Sequence, residues 1–157
     1  MGSETQIQNP QIRALESMCV SVVDQVEKLN EVYTKGGYGS AYVVAVYGDG
    51  SVDCEDIRQG RYYALGEPQY IIYEYGIPVY FSDNKTRQVL NSHAVYVFDR
   101  KLELAAVYFV VGKDVGTKIY KELPERVQSI VGDIIEKGGV WYSNTCHKLI
   151  LAKRYGP

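Results

Sequence analysis

Two hydrophobic periods run along this chain, and the switch between them predicts its elements. Ile12, Cys19, Val26 and Tyr33 recur every seven residues, with Leu15, Val22 and Leu29 three places after the first three of them. This is the stripe of an amphipathic helix of about six turns. Asn9-Pro10 supplies its N-cap and first position, and Gly36-Gly37 ends it. The same stripe serves a helix lying on a sheet or one seam of a coiled coil, and the extra apolar residues Met18, Val20 and Val23 favour the sheet.

The period then drops to that of strands. Tyr42 to Tyr47 is a β-branched and aromatic run closed by Gly48-Asp49-Gly50, the chemistry of a tight hairpin turn, after which Ser51 to Cys54 pairs back. Further strands are predicted at Gln69 to Tyr75, Val79 to Phe81, Ala94 to Phe98 and Leu104 to Val111, with Asp99-Arg100-Lys101 turning the last pair. Gly76 and Pro78 mark a bulge or an edge. Leu123, Val127, Ile130, Val131 and Ile134 restore helical spacing and predict a helix from about Gly116 or Leu123 to Lys137, ended by Gly138-Gly139. Val140 to Tyr142 and Lys148 to Ala152 read as closing strands.

This order predicts an α+β fold: a mainly antiparallel sheet of five to seven strands, with the long N-terminal helix and the helix of the C-terminal half on one face. Residues 1–8 form a flexible start, and 9–157 a single domain. Several strands are apolar on both faces, as in Ile71-Ile72-Tyr73 and Val107 to Val111. The face without helices therefore needs a cover, either the loop 55–68 or a partner.

Composition narrows the function classes. With 157 residues, 46% hydrophobic and 23% charged, the chain can build a core. No apolar run reaches the roughly 18 residues of a membrane span, and the first residues lack the pattern of a signal peptide, so a cytoplasmic location without membrane contact is expected. A net charge of −2 argues against coating nucleic acid by bulk electrostatics. Local basic groups remain at Lys148, Lys153 and Arg154, and at Lys85 and Arg87 in a predicted loop. Cys19, Cys54 and Cys146 are odd in number and widely spaced, which predicts buried thiols. A disulfide inside a cell is expected only in a hyperthermophile, a source to which fifteen Tyr against two Met also point.

Candidate chemistry is sparse. Tyr62, Tyr63, Tyr70, Tyr73, Tyr75 and Tyr80 cluster in sequence, and Tyr joins a large apolar ring to a polar tip, which suits a contact surface. Gly112 to Lys118 reads as a strand-to-helix loop that echoes a phosphate-binding loop, with its glycines one residue too close and Thr117-Lys118 in reversed order. The element order resembles that of restriction-endonuclease-like nucleases, whose sites combine an Asp with a Glu-x-Lys. Asp99 and Glu103 are placed to match, but Ala105 stands where the Lys belongs. Asp53, Glu55 and Asp56 form an acidic cluster that could take a hard cation. Cys146 and His147 are neighbours that a strand would point to opposite faces, and His93 stands alone.

The expectation is a non-catalytic protein-interaction module without a cofactor, a homodimer or a subunit of a larger assembly, that binds through its Tyr-rich sheet face or first helix. The alternative is a small metal-dependent nucleic-acid-processing enzyme using Asp99 and Glu103, with metal ligands at Asp53, Glu55 and Asp56. A nucleic-acid partner is thus possible without being favoured.

Overall fold

The computed structural model describes residues 42–56, 67–76, 79–82, 87–90 and 92–156. The predicted N-terminal helix, Cys19, most of the loop 55–68, Tyr62 and Tyr63 lie outside them.

Eight strands are found among the described residues: β1 (Tyr42–Val46), β2 (Val52–Asp56), β3 (Tyr70–Gly76), β4 (Val79–Ser82), β5 (Arg87–Leu90), β6 (Ser92–Asp99), β7 (Leu104–Val111) and β8 (Asp114–Ile119). Six of them form one antiparallel sheet in the order β2-β1-β3-β6-β7-β8, while β4 and β5 make a separate two-stranded ribbon. The predicted β1–β2 hairpin is present. Gly50 takes φ +86°, a conformation open to glycine, and Asp49 accepts bonds from the Ser51 N–H at 2.9 Å and its hydroxyl at 2.6 Å. In β7 the residue Ala105 is extra against the Val97–Phe98 step of β6, a bulge that leaves its carbonyl to accept the N–H groups of Tyr120 and Lys121.

Helix α1 (Glu125–Lys137) follows, with Val127, Ile130, Val131 and Ile134 buried as their spacing predicts. Glu125 in its first turn and Lys137 in its last suit the helix dipole. Gly138 then reverses the chain at φ 52°, ψ −125° into α2 (Gly139–Tyr142), a π-helical turn (Ser143–His147) and α3 (Lys148–Tyr155).

Three readings are corrected here. The chain from Val140 to Ala152 is helical, and at helical spacing Trp141, Tyr142, Cys146 and Ile150 reach the core while Val140 and Leu151 face outward. Gly112-Lys113 is the two-residue turn of a β7–β8 hairpin, not a loop into a helix, so the echo of a phosphate-binding loop disappears. Arg87 opens a strand instead of lying in a loop.

The core sits between the helices and one sheet face. Val44, Cys54, Ile72 and Val97 face Ile130, Ile134, Trp141 and Cys146. Burying a side chain such as Ile134 contributes about 1.5–3 kcal/mol. The second face is as dry: Val43, Ala45, Tyr73, Tyr96, Phe98 and Phe109 are all buried.

Candidate functional site

The β6–β7 turn brings Asp99 and Glu103 together. Asp99 Oδ1 accepts the backbone N–H of Lys101 at 2.9 Å and of Glu103 at 3.0 Å, which is turn chemistry. The cation between the two carboxylates is Lys121, whose Nζ bonds Asp99 Oδ2 and lies 2.5 Å from Glu103 Oε2. Lys121 arrives there because the Ala105 bulge anchors the chain leaving β8. Burial would raise the Asp99 carboxyl, but the bonds from Lys121, Glu103 and Lys101 outweigh it and hold it below its usual value. The same two carboxylates raise Lys121.

On β2, strand alternation sets Asp53 and Glu55 on one face and Asp56 at a position of the other. Among the described residues no three His, Cys, Asp or Glu side chains converge as a metal site. Lys153 of α3 instead reaches across the sheet edge. Its Nζ is 2.5 Å from Asp53 Oδ1 and 3.8 Å from Glu55 Oε1, and it donates to the Cys54 carbonyl at 3.3 Å. Burial, followed by the charges of Asp53 and Glu55, raises the Tyr47 phenol. Cys54 itself turns inward and forms a disulfide with Cys146 of the π-helical turn, which corrects the expectation of free thiols. The C-terminal helical segment is thus fastened to β2 by a covalent bond and an ion pair.

A third polar cluster lies on the helix-bearing face. His93 Nε2 is 3.1 Å from Glu74 Oε2, and the Tyr142 hydroxyl also bonds Glu74. Tyr142 stacks on Tyr42 with ring centroids 5.4 Å apart. Burial raises the Glu74 carboxyl against the opposing pull of His93 and Tyr142. This group can hold or pass a proton, but no nucleophile or metal-ligand set joins it among the described residues. Glu74 has a usable sequence signal, a lone acid within Tyr70–Gly76, whereas Lys121 and Lys153 leave no local trace, since their partners are distant in sequence.

The tyrosines divide. Tyr73 is only 1% exposed and belongs to the interior. Tyr70 packs at the edge of the helix-side core, Tyr75 is the last residue but one of β3, and Tyr80 lies in the separate ribbon opposite Val89. Tyr73 therefore does not belong to an open face.

Exposed apolar area is found instead on the C-terminal helices. Leu151 and Tyr155, one turn apart on α3, are 38% and 80% exposed, and Val140 on α2 is 61% exposed. Leu149 and Ile150 of the same helix turn inward. No helix among the described residues is long and apolar enough to cross a membrane. No family model, curated protein or solved structure matches this chain.

Proposed function

We propose that the chain is a non-catalytic protein-interaction module, a homodimer or a subunit of a larger assembly. One observation carries this reading: α3 turns Leu149 and Ile150 to the core, yet Leu151 and Tyr155 stand in solvent on its outer side, beside Lys148, while the disulfide and the Lys153 ion pair fasten this segment to β2. A pre-ordered apolar face also loses little entropy when it is covered. Light scattering at high micromolar concentration, together with recovery of partners from native lysate, tests the proposal. Association should be present in the wild type and fall in the Leu151→Asp/Tyr155→Asp variant with the circular dichroism unchanged. A monomer with no recovered partner overturns the reading.

The competing reading, a metal-dependent nuclease, has in its favour that Asp99 and Glu103 do converge. Against it, the lysine bonds both carboxylates directly and so occupies the space between them. Magnesium-dependent cleavage of DNA that vanishes in Asp99→Ala would reinstate it.

A further inference from the structure

We infer that the outer face of the C-terminal helices takes an acidic amphipathic helix of a different protein, whose apolar residues cover Leu151 and Tyr155 and whose carboxylates meet Lys148. The inference rests on the interaction-module reading and names the chemistry of its partner.

The face is longer than α3 alone. Backbone dihedrals stay helical through Tyr142, Ser143, His147 and Lys148, so α2, the π-helical turn and α3 run on as one helix. A π turn takes up one residue more than an α turn. The eight-residue step from Val140 to Lys148 therefore equals two α-helical turns, as does the seven-residue step from Lys148 to Tyr155. Val140, Lys148 and Tyr155 line up on the outer side with Leu151 beside them, while Trp141, Tyr142, Cys146 and Ile150 take the buried side. The row is roughly 20 Å long, enough to lie along about four turns of a second helix. Its two ends, Val140 and Tyr155, are 61% and 80% exposed.

Charge selects the partner. Three of the 17 Lys and Arg fall in residues 138–157 and none of the 19 Asp and Glu does, so this end is positive on a chain of net charge −2. Lys153 is bonded to Asp53. Lys148 is exposed within the apolar row, and no acid pairs with it among the described residues. A wholly apolar partner would bury that ammonium without a counter-charge, a cost that outweighs the apolar gain. A carboxylate opposite Lys148 removes the cost and sets the register. Leu151 and Tyr155, four residues apart, form the ridge that fits the groove of a second helix, and Tyr suits a contact whose rim stays wet.

Two other occupants fit less well. The same face of a second copy would set two positive segments together with no acid on either side. A negatively charged lipid surface attracts through clusters of about four to eight basic groups. This segment has three, with Lys153 engaged by Asp53, and the chain as a whole is negative.

Fluorescence anisotropy with two labelled peptides tests this on the full chain. Both are amphipathic helices with the same row of Leu, flanked by Glu in one and by Lys in the other. The Glu peptide should bind at least about tenfold more tightly, and the difference should shrink as salt is added. Lys148→Glu should reverse the preference, and Leu151→Ala/Tyr155→Ala should weaken the Glu peptide, both with the melting temperature unchanged because these side chains are exposed. Equal binding of the two peptides, or a preference that Lys148→Glu leaves untouched, overturns the acidic partner. Vesicles of phosphatidylglycerol and phosphatidylcholine are the lipid arm. Co-sedimentation that Lys148→Glu abolishes, without a peptide preference, assigns the face to a membrane and overturns the proposal as well. If neither peptide binds while Leu151→Asp/Tyr155→Asp still disrupts association in light scattering, the acidic helix falls and the interaction module stands. A wild type that binds neither peptide, does not self-associate and recovers no partner removes both.

Discussion

Breaking the Cys54–Cys146 bond should cost this chain as much as a large core truncation. The bond spans 92 residues of sequence and ties an edge strand to the π-helical turn. The chain-entropy model gives a loop of that length about 4.6 kcal/mol of stabilisation, through the freedom it removes from the unfolded state. Reduction leaves both sulfur atoms in the core, where Cys54 and Cys146 are fully buried, so no cavity adds to the loss. Urea melts with and without reductant should therefore differ by about 3–5 kcal/mol, and the thermal midpoints by about 10–15 °C. Thiol titration in denaturant checks the pairing. Of the three cysteines in the chain, one should titrate before reduction and all three after it. Three thiols before reduction, or oxidised and reduced proteins within about 1 kcal/mol of each other, would refute the reasoning. The loss should also appear locally, as faster amide exchange along α2 and α3. Their other described ties to the sheet are the Tyr42–Tyr142 stack, the Tyr142–Glu74 bond, Lys153 and the packing of Trp141 and Ile150 into the core.

Two carboxylates should give opposite pH responses. Glu74 has a folded pKa above its ordinary 4.5, so the folded state binds more protons, and stability falls as pH rises from 4.5 towards the raised value. The urea midpoint of Glu74→Gln should accordingly gain on the wild type between pH 4 and pH 8; a relative loss with rising pH contradicts the burial argument. Asp99 lies below its ordinary 3.8, so its contribution is present above 3.8 and lost as pH falls through the lowered value. Asp99→Asn should be less stable than the wild type at pH 7, with the gap closing in acid, and a gap independent of pH would show that the Lys121 contact does not matter. Gly138 holds φ 52°, ψ −125° with nothing within 4 Å of an added Cβ, so Gly138→Ala should cost about 1–3 kcal/mol from backbone strain alone, and an unchanged urea midpoint would contradict that.

Local signals reached the elements whose chemistry is local. Gly48-Asp49-Gly50 set the β1–β2 hairpin because the turn needs a positive φ, and the spacing from Leu123 to Ile134 set α1 because those residues meet one sheet face. The readings failed where burial was asymmetric or long range. Asp114-Val115-Gly116-Thr117-Lys118-Ile119 has a glycine and two charges, a composition that strand propensity disfavours but an edge strand tolerates. Val140 to Tyr142 and Leu149 to Ala152 are short apolar runs that periodicity cannot divide between strand and helix, and the polar turn Ser143–His147 between them hid their continuity. The candidate site was half legible. Asp99 and Glu103 were found in sequence, but their cation, Lys121, and the partners of Asp53 and Cys54 come from elements that only tertiary packing brings near.

The β2 edge of the sheet bears on how large an assembly can grow. An open strand at the end of a six-stranded sheet offers a contact to a further chain, and such contacts can propagate into fibres. Here Lys153, Asp53 and the disulfide-held helices close the β2 edge. The exposed apolar residues of α3 lie at the same end of the strand order, since α3 is anchored to β2. Opening the β2 edge, by Lys153→Ala in reduced protein, should therefore promote self-association before it unfolds the chain. The charged cover at β2 would then act to limit assembly as well as to stabilise the fold.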